Sequence, residues 1–377
     1  LEEIDATVAA ALADSAAPGA VLAIARHGRF VRLRGYGQLD WAESAPADSR
    51  SIYDLASLTK VVGTTTAAMI LVDEGRLDLD GRVVEYLPWW GAGYPRKQTV
   101  TVRHLLLHRA GLPPFRRFYL EMEGRDPYQN AIAQLQLEYE PGTQTVYSDL
   151  GFMTLAFIIE SVSGQGLDDF LEERVWDRLG MRDTGFRPAP ALRERIAPTE
   201  LDTVFRNALV HGVVHDENAY AIGGVAGHAG LFSTVSDLAV LAQTLLGEGS
   251  VAGCEPRASA SSGQEICAEG VAGPTRLVSE ETVRAFTSQF DSQASRALGW
   301  DTPSGRSSAG DYFTRSAFGH TGFTGTSIWI DPELDMFVVL LTNRVNPTRD
   351  NNKHVPLRRA VHDLAALAIT DREVRRR

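Results

Sequence analysis

Ser57 and Lys60 stand three residues apart at the head of a stretch, Val61 to Val72, that is apolar almost all the way round. That pattern predicts a helix buried on every side, and a buried helix has little reason to open with a serine and a lysine. Residues three apart on a helix share a face, with Cβ atoms roughly 5–6 Å apart, so hydroxyl and amine would lie within hydrogen-bond reach. The chemistry this suits is a serine nucleophile activated by a neutral amine. The free N–H groups and positive dipole end of the first helical turn would sit beside a developing oxyanion. An N-cap serine beside a snorkelling lysine would give the same four residues. Lysine usage separates the two readings: among 37 cationic side chains only Lys60, Lys97 and Lys353 are lysine. A desolvated lysine can shed its proton and an arginine does not, so a lysine at this point is expected to serve chemistry.

A nucleophile of this kind needs a proton carrier, an oxyanion hole and a docking element. Tyr147, flanked by Ser148 and Asp149 before an apolar run, could present its phenol as a general base, though a packed tyrosine ahead of an Asp N-cap would look alike. His320-Thr321-Gly322 offers donors and, at the glycine, close backbone approach; alone it would read as a turn. Two histidine sets suggest metal instead: His211, His215, Asp216 and His228, and the i, i+4 pair His104 and His108. Neither carries an HExxH pattern, so packing or rim roles are expected and no metal. The glycine-dense 223–230 stretch lacks the strand and helix context of a nucleotide loop. No GxSxG elbow is present.

The elements that must position these residues follow from periodicity. Leu1 to Ala16 reads as an amphipathic helix, and Gly19–Ala25 with Phe30–Tyr36 reads as a hairpin turning at His27-Gly28. Gly75 is placed to end the Ser57 helix, Val102 to His108 reads as a short helix, and Leu150 to Val162 as a helix stopped by Gly164. Ser236-Asp237 is expected to cap a helix over Leu238–Leu246. Thr326–Ile330 and Met336–Thr342 read as strands, and Val355–Ile369 as a closing helix. Strands at both ends with helices between imply an α+β fold: one antiparallel sheet built from both termini, residues 1–60 and 276–377, with a mostly helical lobe over 61–275. Gly247–Gly273, rich in Gly, Ser and Ala, reads as a surface insertion within that lobe.

A net charge of −11 with scattered acids makes a nucleic-acid partner an unsuitable expectation. The apolar runs fall short of the roughly 18–20 residues that a membrane helix needs. Cys254 and Cys267 both fall in the insertion, where a disulfide would suit an exported protein and two free thiols a cytosolic one; the disulfide, and export with a leader removed, are the expectation, while the start at Leu1 rather than Met decides nothing by itself.

Order and spacing carry more than any motif alone. Ser57-x-x-Lys60 early, Tyr147-Ser148-Asp149 mid-chain and His320-Thr321-Gly322 before the last strands resemble the serine β-lactamase and penicillin-binding protein superfamily, in its class C β-lactamase-like branch. The stretches His104–Pro113, Pro141–Gly151 and Asn343-Arg344 share the resemblance, which runs from about Pro18 to Ile369. It implies the β-lactamase/transpeptidase-like fold, Ser57 as acylated nucleophile, Lys60 as its proton-handling partner and Tyr147 as general base and acid. It also implies an oxyanion hole from the N–H groups of Ser57 and Phe323, with Asp149, His320, Thr321 and Gly322 facing substrate. Two departures stand out: His320 replaces the usual lysine, which weakens the hold on a substrate carboxylate, and Asp149 replaces asparagine, turning an amide donor into an acceptor.

The expectation is therefore an SxxK serine hydrolase needing no cofactor, cleaving a β-lactam, a D-alanyl-type peptide or a small ester. The two departures tilt it away from efficient β-lactam turnover. The competing class is a penicillin sensor that acylates and stalls, and the intact Ser57/Lys60/Tyr147 set favours the hydrolase.

Overall fold

The computed structural model describes residues 1–91, 93–257, 259–291, 295–305 and 307–377. Its frame is a five-stranded antiparallel sheet of β1 (Gly19–Arg26), β2 (Arg29–Gly37), β3 (Phe318–Thr321), β4 (Ser327–Asp331) and β5 (Met336–Thr342), in the order β3-β4-β5-β1-β2. The central pair β1 and β5 are continuous apolar runs because both faces are covered. The alternating sequence of β2 suits its place at the edge. His27 and Gly28, both with positive φ (52° and 70°), make the primed-type turn that matches strand twist.

On one face, Leu22, Ile24, Val338 and Leu340 pack against Ile4 and Val8 of helix α1 (Glu2–Ala13) and against Leu357 and Val361 of the last helix, His354–Leu367. On the other, Val21, Ala23, Val339 and Leu341 join one continuous core that runs into the helical region. Within that core lie helix α2 (Thr66–Asp73), helix α3 (Asp149–Ser163) and helix α4 (Val235–Leu246). The His354–Leu367 helix is α5.

Helix α3 is built as its sequence implies: the Ser148 hydroxyl accepts from Gly151 N–H, every residue from Leu150 to Ile159 is buried, and Gly164 closes the helix with φ 76°. Several expectations need correction. The cap of α4 is Thr234, two residues before Ser236; its hydroxyl accepts from Asp237 N–H, because the preceding strand ends at Ser233 and the helix begins at Val235. The lobe boundaries also cross: α4 lies in the stretch assigned to the helical lobe yet packs on the sheet, while the Glu280–Thr287 helix, assigned to the sheet lobe, is tied to Asp73 at the end of α2 through Ser279 and Thr282. The 247–273 insertion docks on the β1–β2 hairpin. Phe30 N–H donates to Gln264 C=O and Ile266 N–H to Gly28 C=O, so it covers the sheet edge at the β1–β2 hairpin, and a Cys254–Cys267 disulfide closes it.

Among the described residues no single helix is long and apolar enough to cross a membrane.

Candidate active site

Ser57 is not on a regular helix. Ala56–Leu58 forms a 3₁₀ turn, Lys60–Thr65 a π-helical segment, and only then does α2 begin. An apolar run cannot distinguish these windings, since all of them are buried here; π turns concentrate where a side chain must be re-aimed. The turn itself is held from below. The buried Asp54 carboxylate accepts from Ala56 N–H (2.8 Å) and His215 N–H (2.6 Å). Ala56, with φ +47°, is kept in a left-handed conformation that an alanine adopts at a cost, next to Ser57.

Lys60 Nζ donates to Ser57 Oγ at 3.0 Å and to the His228 carbonyl at 3.1 Å, and it lies 2.7 Å from Asp149 Oδ1. The last contact is an ion pair without good hydrogen-bond alignment. This revises two expectations. Asp149, expected to face substrate, turns its carboxylate to the lysine, because the first residue of α3 points back at the π segment packed against it. Lys60, expected to be a neutral amine, is held as an ammonium: burial alone would pull its pKa down, but Asp149 and then Tyr147 outweigh burial and raise it.

The Tyr147 ring lies beside Lys60, whose Nζ is 4.7 Å from its centroid, and the Tyr147 pKa is raised, chiefly by burial, so its phenol stays protonated. Beneath it lies His108, whose ring is 4.6 Å from the Tyr147 ring and 5.0 Å from Phe152. His108 Nδ1 accepts from Ser148 N–H at 3.0 Å, and burial drives its pKa well down, so it is a neutral floor for the tyrosine. His104 forms a capping box with Thr101. The i, i+4 histidines thus serve separate structural ends. Among the described residues no group of three His, Cys, Asp or Glu is arranged to hold a metal ion.

The other histidines divide. His228 gives its carbonyl to Lys60 and pairs with Asp216 at 2.9 Å; His215 pairs with Glu200 at 2.9 Å and stacks on Phe323. His211 binds the carbonyls of Arg193 and Ile196, away from Ser57.

A cleft of about 380 Å3 opens over Ser57, walled by Tyr147, Arg296, His320, Phe323 and Arg344. His320 is 4% exposed; its Nδ1 lies 2.8 Å from the Thr321 carbonyl and therefore carries the ring proton. Burial first, then Arg296 and Lys60, push its pKa well below the ordinary value, so the imidazole is neutral. Cationic charge in the cleft comes instead from Arg296, Arg344 and Arg358, and no local motif marks Arg296. Its guanidinium sits 5.4 Å over the Tyr147 ring, and its Nη1, 4.0 Å from Asp301, has no hydrogen-bond partner among the described residues. Gly322 is fixed by contact: a Cβ there would meet Thr326 Oγ1 at 2.1 Å and Leu55 O at 2.4 Å, so the loop abuts the Ser57 turn.

The structure thus brings Ser57, Lys60, Tyr147, Asp149, His320, Thr321, Gly322 and Phe323 to one place. What they can do together is present a hydroxyl beside an ammonium, a phenol and a carboxylate, in a cleft able to take an anionic substrate.

The Beta-lactamase family model matches residues 4–363. The "Putative D-alanyl-D-alanine carboxypeptidase" of Escherichia coli K12 is 34% identical over 347 residues, 84% of this chain and 75% of its own. The N-acetylmuramyl-L-alanine amidase of Bacillus subtilis 168 is 32% identical over 374 residues, 90% of this chain and 78% of its own. Among solved structures, EstCE1, a hydrolase with promiscuous acyltransferase activity, has a TM-score of 0.73 at 23% identity over 97% of this chain and 98% of that one. A class C β-lactamase from Rhodobacter sphaeroides has 0.70 at 19% over 96% and 99%. At such identities the structural matches speak for the fold.

Proposed function

This chain belongs to the β-lactamase family and is a serine hydrolase of the β-lactamase and penicillin-binding protein type, and on that premise we propose that it hydrolyses an amide bond in a carboxylate-bearing peptide of the cell-wall kind, through an acyl ester on Ser57. The observation that carries this reading is Ser57 Oγ held 3.0 Å from Lys60 Nζ at the floor of a cleft lined by arginines, of which Arg296 has an Nη1 with no hydrogen-bond partner among the described residues. The names of the relatives, a D-alanyl-D-alanine carboxypeptidase and a muramyl-L-alanine amidase, support a peptide over a cephalosporin.

Because Lys60 begins as an ammonium, it cannot simply take the serine proton. Ser57 Oγ attacks the carbonyl carbon while its proton passes to Lys60 and Lys60 yields one to the Asp149 carboxylate. The Oγ–C bond forms and the carbonyl π electrons move onto oxygen, facing the N–H groups of Ser57 and Phe323. When the C–N bond breaks, the leaving amine takes a proton from the Tyr147 phenol, and the Asp149–Lys60 pair returns one to Tyr147. Water repeats the sequence on the ester and frees Ser57. His320, neutral, contributes shape and a hydrogen bond rather than charge. The Cys254–Cys267 disulfide supports an exported location.

The test is a panel of a D-alanyl-D-alanine peptide, a muramyl-L-alanine peptide, a neutral p-nitrophenyl ester and a chromogenic cephalosporin, on wild type, Ser57→Ala and Arg296→Met. Peptide hydrolysis absent in Ser57→Ala, with a KM raised by Arg296→Met for carboxylate substrates and not for the ester, is expected. Cephalosporin as the preferred substrate, or hydrolysis that survives Ser57→Ala, would overturn it.

A further inference from the structure

Resting on the assignment of Ser57 as nucleophile, we infer that Arg358 of α5 and Arg344 are positioning residues that set and polarise the Phe323 N–H of the oxyanion hole. The loop 322–326 has all five of its carbonyls occupied. Arg358 takes three of them: its Nη2 donates to Gly322 O and to Thr326 O (2.8 Å), and its Nε to Gly325 O (3.3 Å). Arg344 takes the other two, Nε to Phe323 O at 2.8 Å and its own backbone N–H to Thr324 O at 2.8 Å. No carboxylate pairs with Arg358 among the described residues. A guanidinium that is only 8% exposed and has no acid beside it is costly to bury, and here its donors go to backbone carbonyls of a single loop.

The geometry of the peptide unit says why that loop matters. The Gly322–Phe323 peptide is trans, since the one cis bond among the described residues is Asn346-Pro347, and in a trans unit C=O and N–H point in opposite directions. Arg358 fixes Gly322 C=O toward α5, which aims Phe323 N–H away from α5, on the side of the Ser57 cleft. A charged donor on the carbonyl also draws electrons through the amide and makes that N–H a stronger donor. Arg344 adds a second hold, its guanidinium lying 4.4 Å from the Phe323 ring centroid. From the other side, Thr324 Oγ1 donates to Asp54 O (2.7 Å) and Thr326 Oγ1 to Leu55 O (3.1 Å), fixing the loop to the segment that carries Ser57. Both N–H groups of the hole are thereby held in one register.

The test uses the neutral p-nitrophenyl ester, so that any direct hold of arginine on a substrate carboxylate drops out. Arg358→Met should lower kcat about 10- to 100-fold, short of the loss for removing an oxyanion donor outright, with KM nearly unchanged. Its affinity for phenylboronic acid, whose serine adduct places an oxygen in the hole, should fall by the same factor as kcat/KM. Arg358→Lys, which keeps the charge but cannot span three carbonyls, should recover part of both, and it carries the test alone if Arg358→Met does not fold. A fall in melting temperature with kcat and boronate affinity intact, or a change confined to KM, would overturn the inference. Either of those results would leave Ser57-dependent turnover in wild type standing, whereas turnover that survives Ser57→Ala would remove the premise itself.

Discussion

Two of the three lysines are fully buried, and they behave oppositely. Lys60 has its pKa raised; Lys97 has its pKa lowered to about 8, by burial. The difference is the partner. Lys60 meets the Asp149 carboxylate, whereas Lys97 donates to the carbonyls of Ile132 (2.7 Å) and Ala133 (2.9 Å) and sits 4.2 Å over the Trp90 ring. Those carbonyls end the Arg125–Gln134 helix, where a cation completes the orphan acceptors and the dipole. A buried lysine is therefore not a signature of chemistry by itself. What distinguishes Lys60 is an acid partner, Asp149, and a serine hydroxyl, Ser57, within reach.

The comparison can be sharpened by removing each lysine in turn. Lys60→Met should cost about 10³-fold in kcat for the same ester, the range of lost proton transfer, measured by initial rates; a loss under tenfold would put Lys60 outside the relay. Asp149→Asn should cost less, about 10- to 100-fold at neutral pH. It removes the carboxylate that raises the Lys60 pKa, so Lys60 sheds its proton more readily as pH rises, and the deficit should shrink toward alkaline pH. A deficit independent of pH would contradict the relay. Lys97→Met should leave kcat alone and lower stability by about 1–2 kcal/mol, as two carbonyls lose their donor.

Stability against pH separates the pair further. With a folded pKa of about 8 against an ordinary 10.5, Lys97 binds fewer protons in the folded state than in the unfolded, so its contribution improves as pH rises across that window. Lys60, raised above 10.5, contributes fully below that value and loses its contribution as pH climbs through its folded pKa. Urea unfolding of wild type and Lys97→Met across this window should show the gap between them widening in favour of wild type. A constant gap would mean that Lys97 does not titrate there.

What the sequence made legible was which residues come together, not what they do. Ser57, Lys60, Tyr147 and His320 each sit in a short motif and meet at one cleft, and the continuous apolar runs of β1 and β5 mark a sheet covered on both faces. The 3₁₀ and π windings around Ser57 left no trace, because burial on all sides erases the periodicity that would tell one helix from another. Asp149 was read by its motif position, yet its direction depends on how α3 packs against the Lys60 segment. Arg296 and Arg358 draw their meaning from carbonyls and rings far away in sequence, and in a chain that uses arginine for nearly every cation no local signal singles them out; Arg344 stands in the Asn343-Arg344 stretch of the resemblance, but its hold on the 322–326 loop is not legible there.

The central claim is that Ser57 carries the acyl group, and it is read most directly by intact-protein mass spectrometry after brief exposure to a fluorescent penicillin and to a p-nitrophenyl ester, followed by peptide mapping. One adduct of the acyl mass on the tryptic peptide Ser51–Lys60, transient with the ester and absent from Ser57→Ala, is the predicted result. An adduct that persists in Ser57→Ala, or ester turnover that continues in that variant, would contradict it.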